Sequence, residues 1–121
     1  MPRWRWCWRR KSKGRPPAQI FIYSLPKVKR LMPIPCLNPQ PIEVLYPEYE
    51  AIRLVDYEGL TQEEAAKKMG VSRGTIWRLL ESGRKKVLEA LITSRPLLIA
   101  DEGELIEDKR EVDGKKSKNY K

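Results

Sequence analysis

The sequence predicts a mainly α domain of three to four helices built around a helix-turn-helix, with a basic N-terminal arm and room for a short β-hairpin. Three observations predict it. Residues 61–80, TQEEAAKKMGVSRGTIWRLL, carry start, stop and restart signals for two short helices separated by a turn of a few residues. The stretches on either side, PEYEAIRLVDYEGL and ESGRKKVLEALITSR, repeat apolar residues at helical spacing. The first 42 residues hold ten Lys and Arg and no acid, and prolines break them repeatedly.

The first helix of the pair opens at Thr61, whose hydroxyl can accept from a free backbone N–H, and Glu64 three residues on completes a capping box. Ala65, Ala66 and Met69 then recur at helical spacing, with the alanines small enough for a second helix to cross closely. Gly70 ends the helix, since glycine enters the left-handed region without a steric penalty. Ser72 is the next cap, and Ile76, Leu79 and Leu80 give the second helix its inward face. Its outward face holds Arg73, Gly74, Thr75, Trp77 and Arg78, where residues of a docked recognition helix reach base edges. Two explanations of Gly74 stand side by side: close approach to a groove, or drift in the first turn. Trp77 likewise suits either the core or an apolar contact to DNA.

Upstream, a helix is expected from about Pro47, a residue suited to the first helical turn, to Gly59. Glu48 and Glu50 fit as compensation of its dipole. Ile52, Val55, Leu60, Ala66, Val71, Ile76 and Leu80 make the expected core. Downstream, Val87, Leu88 and Leu91 continue the periodicity up to a stop near Pro96. Gly83 leaves open one long helix or a kink into two.

The remaining segments are read from composition. Residues 1–18 form the arm, which interleaves Arg3, Arg5, Arg9 and Arg10 with Trp4, Trp6 and Trp8. Arginines in a minor groove, a two-faced strand with buried tryptophans, and a membrane surface are the competing readings. Residues 19–46 are proline-rich, with strands expected in QIFIYSLP and PIEVLYP that pair antiparallel with each other. After the 47–95 helix-turn-helix domain comes a short apolar extension, 96–106, in which Leu97, Leu98 and Ile99 suit a strand or a packing plug. Residues 107–121 are a charged tail whose expected state is disorder.

In these motifs the chain resembles the prokaryotic uncharacterised protein family 0251, whose helix-turn-helix is similar to region 4 of bacterial sigma factors. EAIRLVDYEGLTQEEAAKKMGVSR at residues 50–73 resembles the family signature, and RKKVLEALI from Arg84 resembles its closing helix. PRWRWCWRR at residues 2–10 resembles its basic opening, whereas residues 11–42 fit the pattern poorly and the tail extends beyond it. The resemblance implies a sigma region 4-like or winged-helix fold and DNA binding through Thr61, Gln62, Ser72, Arg73, Thr75 and Arg78.

Charge points the same way. Residues 61–95 carry eight basic and four acidic groups, while residues 43–60 carry one and five. That segregation would turn the acidic helix away from phosphates and the helix-turn-helix toward them. With Gly74, Trp77, Lys85 and the four arginines of the arm, the residues above make the candidate DNA-binding set. Double-stranded DNA is the expected partner and transcriptional regulation the expected role. An RNA-binding module using the arm and a module contacting RNA polymerase or another protein are the alternatives. Because one recognition helix reads only a few base pairs, a homodimer is expected. Val87, Leu88, Leu91 and Ile92 suit either its surface or the monomer core. With no histidine and two cysteines, neither a metal, a cofactor nor an enzyme activity is expected. No stretch is long enough to span a membrane, so a cytoplasmic location is expected.

Overall fold

The computed structural model describes residues 3–8, 19–100 and 103–108, the last six and Trp8 by their backbone alone. Arg9, Arg10 and the tail from residue 109 lie outside the described residues. Three helices and two three-stranded sheets make up an α/β fold.

This corrects the mainly α expectation, and the correction begins in the arm. Arg3–Trp8 is strand β1, the centre of a sheet ordered β2-β1-β6, with β2 at Ile20–Ile22 and β6 at Gly103–Asp108. Both pairings are antiparallel, with Trp6 opposite Ile20 on one side and Leu105 on the other. Period-2 alternation puts Trp4 and Trp6 on one face, and Trp6 is fully buried beside Ile20, Ile22, Leu54 and Met69. The stretch is thus no free arm. Trp4 and Trp6 hold the sheet against the helices.

The second sheet is ordered β3-β5-β4, with β3 at Arg30–Leu31, β4 at Ile42–Leu45 and β5 at Leu97–Ala100. β4 and β5 run parallel, so all three helices form the crossover between them. The expected pairing of the strands at 19–26 and 41–47 is therefore wrong: β2 pairs with β1, and β4 pairs with β5. The intervening proline-rich segment is tied to Ser94, where Leu37 N donates to Ser94 O at 3.1 Å.

Helix α1, Tyr46–Ile52, carries Pro47 in its first turn as expected and runs on as a π-helical turn, Arg53–Tyr57. Gly59 follows at φ +85°. Helix α2 is Gln62–Met69, and α3 is a single unbroken helix, Arg73–Thr93. Gly83 marks no kink. A Cβ there would come within 2.6 Å of Ile52 Cδ1 and 3.3 Å of Glu48 Cβ, so the glycine lets α1 cross α3 closely. Ala65, Ala66, Met69, Ile76 and Leu80 are buried as a common core, with Ile52, Val55, Leu60 and Val71 half-buried around it. No helix among the described residues is long and apolar enough to cross a membrane.

Candidate nucleic-acid interface

The corner between α2 and α3 is built from local signals. Thr61 Oγ1 accepts from Glu64 N at 3.0 Å while Glu64 Oε1 accepts from Thr61 N at 2.9 Å, closing the capping box. Gly70 ends α2 at φ +72°, and Phe21 of β2 lies 3.0 Å from where its Cβ would be, so neither backbone nor neighbour leaves room for a side chain. Ser72 Oγ then accepts from Thr75 N at 3.1 Å and lies 3.0 Å from Thr75 Oγ1. The two hydroxyls that were candidates for base contacts at Ser72 and Thr75 are thus engaged with each other, and Thr75 is half-buried.

Beyond the cap, Arg73, Gly74, Trp77 and Arg78 are exposed, with Trp77 open to 53%. Of the two places considered for Trp77, the structure selects the surface. Arg73, Arg78 and Lys85 make no hydrogen bond or ion pair among the described residues. A Cβ on Gly74 would have Arg78 Nη1 at 3.9 Å as its nearest neighbour, so nothing within the chain requires a glycine there. Gln62, at the start of α2, is half-buried. Lys67, also exposed and unpaired among the described residues, was not in the candidate set, although the Lys67–Lys68 pair just before Gly70 was a readable signal.

Arg84, Lys86 and Arg53 each have carboxylate partners within the chain. Arg84 forms a two-pronged bond to Asp56 at 2.9 and 2.7 Å, and that bond holds the Asp56 carboxyl below its ordinary value and the guanidinium above its own. Lys86 reaches both oxygens of buried Glu48, at 2.8 and 3.0 Å, and Ser82 donates to the same carboxylate. Arg53 grips fully buried Glu50 at 3.0 and 2.9 Å, which also accepts from Tyr23 N at 2.8 Å; the Glu50 bond raises the Arg53 pKa against the opposing effect of burial. Dipole compensation is only part of what Glu48 and Glu50 do. Glu48 Oε1 does accept from Leu45 N, but both carboxylates are internal ties, Glu48 to α3 and Glu50 to β2. The acidic charge of residues 43–60 is in this way largely neutralised inside the fold.

The arm residues divide. Arg3 lies over the Phe21 ring at 3.9 Å and donates to Tyr23 Oη at 3.2 Å, while Lys68 lies over Tyr23 at 4.5 Å, so β2 is clasped between β1 and the end of α2. Arg5 Nε is buried without a hydrogen-bond partner among the described residues. Neither arginine is held out as a free arm. No group of His, Cys, Asp and Glu that could hold a metal occurs among the described residues.

Residues 2–108 match the family described as protein of unknown function DUF134. The chain belongs to that family. Among its relatives, a UPF0251 protein of Pyrococcus furiosus is 49% identical over 106 residues, covering 85% of this chain and 92% of the relative. Another, from Archaeoglobus fulgidus, is 43% identical over 99 residues, covering 81% and 94%. A third, from Pyrococcus abyssi, reaches 53% over 92 residues, with 73% and 84% covered. No solved structure matches the chain. The family match spans β1 to β6, so both sheets lie within the family's shared region.

Proposed function

We propose that this DUF134 chain binds double-stranded DNA sequence-specifically, as a transcriptional regulator of sigma region 4-like type, through residues 72–82 in the major groove. The observation that carries the reading is the contrast in charge along α3. Arg84 and Lys86 have carboxylate partners inside the chain, whereas Arg73 and Arg78 at the N-terminal end have none among the described residues and stand beside an open glycine. Unpaired guanidiniums at the first turns of a helix after a short corner suit bidentate contact with guanine and phosphate. The helix N-terminus adds its partial positive charge toward the same phosphates. Lys85, two turns on from Arg78, is placed for a backbone contact that positions without reading sequence.

The RNA reading loses support, because Trp6 is fully buried and Trp4 half-buried, which takes them from the stacking role it needed. Exposed Trp77 favours one second reading, a protein contact such as RNA polymerase at the same helix.

The test is selection of bound sequences from a random duplex pool, with a single-stranded pool as competitor and the full chain as bait, at about 150 mM salt, where non-specific phosphate binding is weakened. Enrichment of a duplex motif is the expected result. Binding without any motif, or preference for single strands, would remove this reading.

A further inference from the structure

We propose that the chain forms a two-fold homodimer through the C-terminal turns of α3 and the neighbouring 32–38 loop, and that the two α3 helices splay from this contact. The second clause rests on the DNA reading above; the first does not.

The buried stripe of α3 consists of Ile76, Leu80, Gly83 and Ala90. Its opposite stripe, stepping by three and four residues, runs Gly74, Arg78, Glu81, Lys85, Leu88 and Ile92. One face therefore changes character along its length, from Gly74 and Arg78 through mixed charge to aliphatic residues. Leu88, Leu91 and Ile92 are 54, 77 and 78% exposed. None of these three is spent on the monomer core.

A loop enlarges the apolar end. Leu37 N donates to Ser94 O, Ser94 Oγ donates to Pro35 O, and Arg95 Nε donates to Gln40 O, so the segment is pinned to the C-cap of α3. Pinned there, Ile34 and Leu37 stand 98 and 73% exposed beside the last turn of the helix. Five large aliphatic side chains open to this degree approach the few hundred Å² that mark an interaction surface on a small protein. A second copy doubles that area toward the roughly 1,000 Å² a stable interface needs.

That area points to a second copy as the occupant. A two-fold axis near residue 90 sets Leu88 of each chain against Ile92 of the other, an isologous contact. From residue 90 to Arg78 is 12 residues, about 18 Å of helix. Two such lengths hold the Arg78 ends about 34 Å apart, one turn of duplex, when the helices diverge at about 140°. Because Arg78 and Ile92 share one stripe, the inner face of the resulting inverted V faces the partner at its apex and the DNA at its feet.

Sedimentation equilibrium of the full chain without DNA tests the first clause. The expected result is a dimer, with Leu91→Glu and Ile92→Glu each weakening it about 30-fold or more while the circular dichroism spectrum stays that of the folded chain. A monomer across the accessible concentration range, or variants that dimerise like the parent, would overturn it. Arg73→Ala should remain dimeric, which separates this surface from the DNA face. The selected duplex motif tests the second clause: an inverted repeat with half-sites about 10 base pairs apart is expected, and a lone half-site bound by a dimeric protein would overturn the splayed arrangement. A dimer that enriches no motif at all would leave the first clause standing and remove the DNA reading.

Discussion

The middle and the beginning of α3 treat charge in opposite ways. Around Ser82–Lys86 the helix is fastened to α1: Lys86 and Ser82 meet Glu48, Arg84 meets Asp56, and Gly83 lies under Ile52. Around residues 73–78 the same helix spends nothing inward except Ile76, its arginines are unpaired among the described residues, and Gly74 is open. Acid partners within the chain hold Arg84 and Lys86, and none among the described residues holds Arg73 or Arg78. The two glycines make the same point sterically, since neighbours within the fold explain Gly83 and none explains Gly74.

The largest break in that comparison is Glu48→Ala. It leaves Ser82 and Lys86 without their acceptor, and breaking a buried pair costs about 3 to 5 kcal/mol. Lys86 is 29% exposed and can regain water, so a loss near the lower end, about 3 kcal/mol, is expected in denaturant titration. Arg73→Ala should do the reverse, leaving stability unchanged within about 0.5 kcal/mol and lowering specific duplex affinity by about 1 to 3 kcal/mol. The two glycines come next. Gly83→Ala gains helix propensity but must displace Ile52, for a net loss of about 1 kcal/mol, whereas Gly74→Ala should stabilise by up to about 1 kcal/mol in thermal melts. If close approach to a groove explains Gly74, that stabilised variant binds its duplex more weakly; unchanged binding would mean the position is mere drift.

The smallest effect is the exposed Asp56–Arg84 pair. Its folded-state carboxyl pKa lies below the ordinary value of 3.8, so its contribution is present above that value and is lost as pH falls through the lower, folded-state one. Both side chains are more than a third exposed, and water screens them to about 0.5 kcal/mol at most. Asp56→Asn should therefore be slightly less stable than the parent at pH 7, with the difference shrinking as pH falls below 3.8 through the lower folded-state value.

What the sequence revealed follows the reach of each interaction. The capping box at Thr61 and Glu64, the left-handed Gly70 and the cap at Ser72 are all settled within four residues, and they stand where their spacing predicted. β6 was missed because Gly103–Asp108 straddles the boundary drawn between the short apolar extension and the charged tail, and only its partner, the Trp–Arg strand some hundred residues earlier, makes it a strand. The parallel β4–β5 pair was hidden for the same reason, with three helices between its strands. Glu48 looked like an end-of-helix acid because its second role depends on Lys86, 38 residues away. Trp77 could not be placed by period alone, since Ile76 beside it already fills the inward position.

The most direct test of the central claim is the ratio of specific to non-specific duplex affinity, measured for the parent, Arg73→Ala and Lys85→Ala on one selected sequence and one scrambled sequence. If the N-terminal turns of α3 read base edges, Arg73→Ala collapses the ratio, while Lys85→Ala weakens both duplexes alike and reduces the salt slope by about one unit. A ratio that survives Arg73→Ala, or falls equally with both variants, would contradict the account.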